Sequence, residues 1–487
     1  MAISGVLEVE GMKRKFSILV NIALIAAVAA CHKSQHSSPT ANQERVGDLI
    51  IYTKSNRPEA PELSDLPLTD SIFQYGITWR FNKKVAVGKF ITGDHYVVGP
   101  VTVTSITPAP EGGRNGSMLN GPTSFQSGYD SRTIEYSAEL TVKPPVQLRV
   151  GQSLISSISL KDDELDRPPV LARHGQPQTY LRSAAVLTCM AAPVPPDAFR
   201  PSYSDTTNAI YRASDLNREL LPSLPRVAST PDPATWERIF ERPWIDHTRG
   251  WGNRQTHPTD NMPEYSRETS RGVSVVSLML MVDFTPAEKE GLLLSLVQYG
   301  IDLWGAARAG GGWHAEGGYG NGRKWPIIFA GILLGDEKMQ RPNASVPGIR
   351  FGEDDQTVYG QGWTGAKAIF AGHTGSDGKG DRGPYEHLPP AQWPGPKKTQ
   401  SESYRRCCTS ISWVGTALAA RIMDAQKQWD HDPYFDYVDR WMTEDDSVFL
   451  EEIKKQTGSD LSSQPQGMTW DPFVDEMWAK YRTKVTD

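Results

Sequence analysis

Thr285-Pro286-Ala287-Glu288-Lys289-Glu290-Gly291-Leu292-Leu293-Leu294-Ser295-Leu296-Val297-Gln298-Tyr299-Gly300-Ile301 reads as a helix from its first residue. Threonine caps, proline fits the first turn, and glutamate three residues after the cap completes a capping box. Leu292, Leu293, Leu296, Val297 and Ile301 then recur at helical spacing. Comparable patterns predict helices near Arg267 to Val282, Pro326 to Leu334, Thr364 to Ala371, Ser410 to Gln426, Pro433 to Met442, Val448 to Lys455 and Pro472 to Tyr481, with a short one around Asn208 to Leu221. Helices of this length joined by functional loops predict a ring of antiparallel helix pairs. The count, about ten, falls short of a full six-pair toroid, so the ring is expected to be incomplete.

Upstream the pattern changes. Of 14 tryptophans only Trp79 precedes residue 236, so the two halves are built differently. Segments rich in Val, Ile, Thr and Tyr, such as Lys84 to Phe90, Tyr96 to Ile106, Arg132 to Val142, Gln152 to Leu160 and Tyr180 to Met190, read as strands of an antiparallel β-sandwich. The expected fold class is therefore multidomain α and β: an N-terminal sandwich (49–192), a Pro-rich linker (193–235) and an (α/α) helical toroid (236–487) that carries the chemistry.

The first residues read as a targeting signal. Lys13-Arg14-Lys15 precedes an apolar run from Phe16 to Ala30 that is too short to span a membrane, which makes Met12 the better start and 1–31 a signal peptide. Ala29-Ala30-Cys31 resembles a bacterial lipobox, which implies lipidation of Cys31, a polar tether over 32–48, and anchoring at the outer membrane, facing the periplasm or the cell surface. A net charge of -6 and a pI near 6.0 give no basic footprint, so nucleic acid is not an expected partner. Three cysteines then remain, Cys189, Cys407 and Cys408: either one bridge and a free thiol, or three buried thiols. A bridge between the neighbours Cys407 and Cys408 is disfavoured because it needs a strained peptide. No metal-ligand spacing appears, and Gly318 to Gly322 lacks the spacing and preceding strand of a dinucleotide loop, so neither metal nor cofactor is expected.

Between two apolar helices lies Gly310-Gly311-Gly312-Trp313-His314-Ala315-Glu316-Gly317-Gly318-Tyr319-Gly320-Asn321-Gly322-Arg323-Lys324-Trp325-Pro326. Glycine costs backbone entropy on folding, so such a loop needs a reason, and loops on rigid scaffolds are where function usually sits. Other loops repeat the mixture of aromatic and ionisable residues: His257 to Glu268 with Tyr265 and Glu268, Phe351 to Thr357 with Glu353-Asp354-Asp355, Tyr385-Glu386-His387, and Glu402-Ser403-Tyr404-Arg405-Arg406. In the β-region, Gly93-Asp94-His95-Tyr96 is either a hairpin turn or a loop bringing His95 into the helical cleft.

The Trp-rich half, the loop Gly317 to Pro326 and the run Trp429 to Met442 resemble the (α/α)-toroid carbohydrate-active enzymes, and more closely a group of secreted bacterial lipoproteins. The resemblance implies a polysaccharide or oligosaccharide partner. Sugars stack apolar C–H faces on indoles and bond charged or amide groups, which suits Trp313, Trp325, Trp363, Trp393, Asn321, Tyr265, Tyr404, Arg405 and His95 as binding candidates. Hydrolysis needs a protonated acid, chosen among Glu316, Asp354 and Glu386, and a second carboxylate among Asp355, Glu402 and Glu268. Elimination at a uronate needs a Tyr or His base and an Asn or Arg to neutralise the acid, a set present in His314, Tyr319, Asn321 and Arg323. A sandwich ahead of the toroid is the order of glucoamylase-like hydrolases, so the resemblance places hydrolase before lyase; a non-catalytic surface glycan-binding lipoprotein is the third reading.

Overall fold

A computed structural model describes residues 50–171, 178–375, 384–395, 397–469 and 471–485. The expected signal peptide, Cys31 and the tether lie outside the described residues. Ile50–Asp487 forms one compact unit: an N-terminal curled β-sheet, in form a half-barrel, followed by a helical region.

Eight strands build the sheet: β1 Leu68–Gln74, β2 Ile77–Lys89, β3 His95–Val98, β4 Val101–Thr107, β5 Ser117–Leu119, β6 Val146–Leu148, β7 Ser153–Ser159 and β8 Leu181–Met190. Their order is β5-β7-β8-β3-β2-β4-β6, with β1 on β2 and only β3–β8 parallel. The sheet curls because β2 is long enough to pair β4 with its first half and β3 with its second, with a register shift after Arg80. Alternate residues enclose a core that includes Trp79, Val97, Val103, Leu148 and Leu187; the buried Trp79 Nε1 donates to Ser156 Oγ at 2.9 Å. The predicted strand from Tyr96 to Ile106 is two strands broken at Gly99, and the predicted strand Arg132 to Val142 instead forms loops with a 3-10 turn at Ala138–Leu140.

In the helical region α1 Pro233–Phe240, α2 Ser266–Leu280, α3 Pro286–Arg308 and α4 Lys324–Leu334 precede the helices Ser410–Ile422, Asp432–Thr443, Ser447–Thr457 and Pro472–Tyr481. Residues 286–301 form the first part of α3, with Thr285 and Glu288 capping reciprocally. α3 packs on α4, and α2 on Ser410–Ile422. The predicted helix Thr364 to Ala371 is a hairpin strand, Ala368–Phe370, paired with Thr357–Tyr359, and the helix expected near Asn208 to Leu221 is reduced to two 3-10 turns. No helix of the described residues is long and apolar enough to cross a membrane.

The segment 193–235, which reads as a linker, is in large part packed. Ala198 and Phe199 are buried, and Arg200 is fully buried between Asp94 of the β-region, at 2.8 Å, and Asp302 of α3, at 2.6 Å. Its prolines restrict the backbone without breaking contact, and the guanidinium satisfies two buried carboxylates at once.

Candidate functional site

The glycine-rich loop turns between α3 and α4, and most of it is interior. A Cβ at Gly317 would sit 2.6 Å from the Tyr404 ring, and one at Gly318 would meet the Cys408 carbonyl and the Tyr265 hydroxyl, so these glycines serve close approach. Gly318 N donates to Tyr265 Oη at 2.8 Å, and Gly317 N to the His373 carbonyl at 2.8 Å. The His373 ring meets Tyr404 edge-on at 4.2 Å. Above them His314 and Glu316 are half-exposed, Nε2 and Oε2 4.0 Å apart, and the His314 ring is 5.8 Å from Tyr319.

The loop 247–265 closes the other side. Arg254 bonds Glu264 at 2.7 Å, and its guanidinium lies 3.8 Å over the Trp251 ring. Arg267 pairs with Glu268 and donates to the Cys407 carbonyl at 3.1 Å. Burial pushes the carboxyls of Glu264 and Glu268 up against the pull of these arginines, and it raises the Tyr265 phenol, keeping it protonated. Cys407 and Cys408 are joined by a disulfide, the bridge that the sequence disfavours, and Cys189 is a buried free thiol. The bridge sits in a π-helical turn, Arg405–Thr409, whose Cys407 and Cys408 carbonyls accept from Arg267 and Asn321.

Beneath the loop lies a buried hub. Asp246 accepts from Arg323 Nε at 2.7 Å, Tyr299 Oη at 2.8 Å and Asn253 Nδ2 at 2.6 Å, with His257 Nε2 3.7 Å away. Burial alone would raise this carboxyl, but Arg323 and His257 hold it well below the usual range. Arg323 and Asn321 are therefore internal: Asn321 Nδ2 donates to the Cys408 carbonyl at 2.9 Å, and Tyr319 Oη to the Thr248 carbonyl at 3.4 Å.

Several expected site residues are likewise committed to the interior. Asp354 pairs with Lys324 and accepts from Trp429 Nε1 at 3.0 Å. Glu386 pairs with Arg440, and Glu402 with Arg405 and Arg406. Trp313 and Trp325 are core, Trp325 Nε1 donating to Ser277 Oγ at 2.9 Å. Trp393 is also buried, whereas the half-exposed Trp363 packs on Phe449. His95 belongs to β3 and meets Gln74 Oε1 at 3.3 Å, so it does not reach the cleft. Asp355 accepts from Ala315 N at 2.9 Å and pairs with Arg350. The structure thus gathers Tyr265, Tyr404, His314, Glu316 and, below them, Tyr319. Comparison with known proteins finds no matching family model, no similar curated protein and no similar solved structure. Among the described residues no group of three His, Cys, Asp or Glu is placed to hold a metal.

Asp246, Trp251 and Arg254 are not among the expected site residues. The run from Asp246 to Arg254, Asp246-His247-Thr248-Arg249-Gly250-Trp251-Gly252-Asn253-Arg254, repeats the mixture of glycine, aromatic and ionisable residues seen in the later loop.

Two buried groups predict opposed pH responses. Glu353, fully buried, accepts from Gly322 N at 2.5 Å, and its Oε2 has no hydrogen-bond partner among the described residues; burial pushes it up to about 7 from 4.5. The folded chain keeps this proton where the unfolded chain has released it, so stability falls as pH rises from 4.5 to about 7. His247 is buried between the Pro122 carbonyl and Tyr129 Oη, at 2.9 and 2.8 Å, and burial lowers it from 6.5 to about 4. Here the unfolded chain takes up the extra proton, so stability falls as pH drops through that window. Relative to the wild type, Glu353→Gln is expected to gain about 3 kcal/mol between pH 5 and 8, and His247→Gln to gain by a similar amount on going from pH 7 down to 4. Urea midpoints across pH check both; difference profiles that stay flat would show that neither group is held out of its ordinary range.

Proposed function

We propose that the chain cleaves an acidic polysaccharide by β-elimination, in the sandwich-plus-toroid architecture of the carbohydrate-active enzymes it resembles. The observation that carries this reading is the gathering of Tyr404, Tyr265 and His373 against Gly317 and Gly318, with Arg267 over the Tyr265 ring and Arg254 paired with the adjacent Glu264. The carboxylates Asp354, Glu386 and Glu402, by contrast, are held in ion pairs.

In this reading an arginine faces the uronate carboxylate and stabilises the charge that develops when the proton at C5 leaves. Tyr404, reacting as its phenolate, takes that proton and becomes the neutral phenol. The C5–H electron pair forms the C4–C5 double bond as the C4–O bond breaks, and the departing glycosidic oxygen receives a proton from the same phenol or from Tyr265. His373 orients Tyr404 through its ring edge. Export and lipidation at Cys31 would set the reaction at the outer membrane. Hydrolysis is a second reading, favoured by one observation: Glu316 keeps a side chain 38% exposed beside His314.

The test is product analysis on polygalacturonate, alginate, chondroitin and a neutral glucan. The expected result is one ultraviolet-absorbing 4,5-unsaturated uronate for each new reducing end on at least one acidic polymer. New ends without absorbance would replace elimination by hydrolysis. Binding without cleavage would leave a glycan-binding protein, and neither binding nor cleavage would sink the glycan reading.

A further inference from the structure

Three large apolar side chains stand exposed together beside this site. Phe125 is 48% exposed, Ile134 47% and Trp251 37%. Single exposed apolar residues are ordinary, but a contiguous group marks an interaction surface. They converge on Gly250-Trp251-Gly252: a Cβ at Gly250 would lie 2.8 Å from the Phe125 ring, and one at Gly252 3.7 Å from Ile134. Two guanidinium groups lie on the aromatic faces, Arg249 at 4.9 Å from the Phe125 centroid and Arg254 at 3.8 Å from that of Trp251. Arg254 is paired with Glu264. Arg249 has no carboxylate partner among the described residues, and the buried Nε of each arginine has no hydrogen-bond partner there.

The group is held firmly. Arg249 N donates to the Ser124 carbonyl at 3.0 Å, Ile134 N to Gln255 Oε1 at 2.6 Å, and Thr123 Oγ1 to the Ala309 carbonyl at 2.7 Å. It is also linked to the site, because Arg254 pairs with Glu264, the residue before Tyr265.

We infer that Phe125, Trp251 and Arg249 form an outer subsite for a second, carboxylate-bearing sugar ring of the polysaccharide held at Tyr404. The ligand class rests on the glycan reading proposed above; the position of the subsite rests on the rim itself. An indole or phenyl face takes the apolar C–H face of a pyranose, and a guanidinium held over an aromatic ring offers N–H donors to a carboxylate. One subsite at Tyr404 and another at the rim mean that the chain is gripped along its length, and longer oligomers bind more tightly.

The experiment is calorimetric titration of the full chain with tetrasaccharides and disaccharides of galacturonate, mannuronate and unsulfated chondroitin, and with maltotetraose. At least one acidic tetrasaccharide is expected to bind at least tenfold more tightly than its disaccharide and than maltotetraose. Arg249→Ala and Phe125→Ala are each expected to weaken it by about tenfold while leaving the disaccharide unchanged. Arg249→Lys keeps the charge without the planar fork and is expected to recover part of the loss; it replaces the alanine variant if that variant's melting temperature falls. The inference is overturned if no acidic tetrasaccharide outbinds maltotetraose, or if the rim variants bind as the wild type does. Tight acidic binding without unsaturated product would sink elimination and leave the rim standing, whereas unsaturated product with wild-type binding by the rim variants would do the reverse.

Discussion

Tyr404→Phe is expected to lower kcat for polysaccharide cleavage by about 10²–10⁴-fold with KM nearly unchanged, the range for loss of a proton-transferring group. Of the three phenols near the glycine loop, Tyr265 Oη accepts from Gly318 N and Tyr319 Oη donates to the Thr248 carbonyl. The Tyr404 hydroxyl makes no hydrogen bond among the described residues, so it is the one available to a ligand. Phenylalanine preserves the ring against Gly317 and His373 and removes only that hydroxyl. An unchanged melting temperature with collapsed turnover is therefore the expected pair of measurements. Wild-type turnover by this variant would remove Tyr404 from the reaction.

Asp246→Ala is expected to destabilise the fold by about 3–5 kcal/mol, the magnitude for stranding one partner of a buried ion pair. Arg323 is fully buried and loses both of its contacts with the carboxylate, at 2.7 and 3.2 Å, while Tyr299 and Asn253 lose their acceptor. Two loops loosen together, because Asp246 begins the segment leading to Arg254 and Arg323 closes the glycine-rich turn. The double variant Asp246→Ala with Arg323→Met is expected to be more stable than Asp246→Ala alone, since it no longer buries an unpaired charge. Urea unfolding of the three chains gives the coupling directly. Additive losses would mean that solvent reaches Arg323.

Helices were legible where local chemistry and burial agree. α3 carries its cap, its proline and its apolar spacing in seventeen consecutive residues, so nothing distant needs to be known. Ala368–Phe370 is the contrary case: its apolar residues suit either period, and pairing with Thr357–Tyr359 decided for a strand. The loops of the candidate site were legible as composition, but the partners of their charged groups were not. Arg323 and Glu316 lie seven positions apart in one loop, yet one is sealed against Asp246 and the other half-exposed, because the side of the loop that meets α2 and the segment 246–257 is set by tertiary packing. The β-region does reach the segment 246–257, through residues 122–136 rather than through His95, and no spacing along the chain carries that information.

Arg200 ties Asp94 of the sheet to Asp302 of α3 through a segment whose prolines suggest a spacer. Cutting the chain before that segment would strand the buried Asp94, and cutting it after would strand the buried Asp302. The sheet is thus not an exchangeable accessory to the helices. Removing the sheet together with Arg200 would leave Asp302 buried without its guanidinium partner.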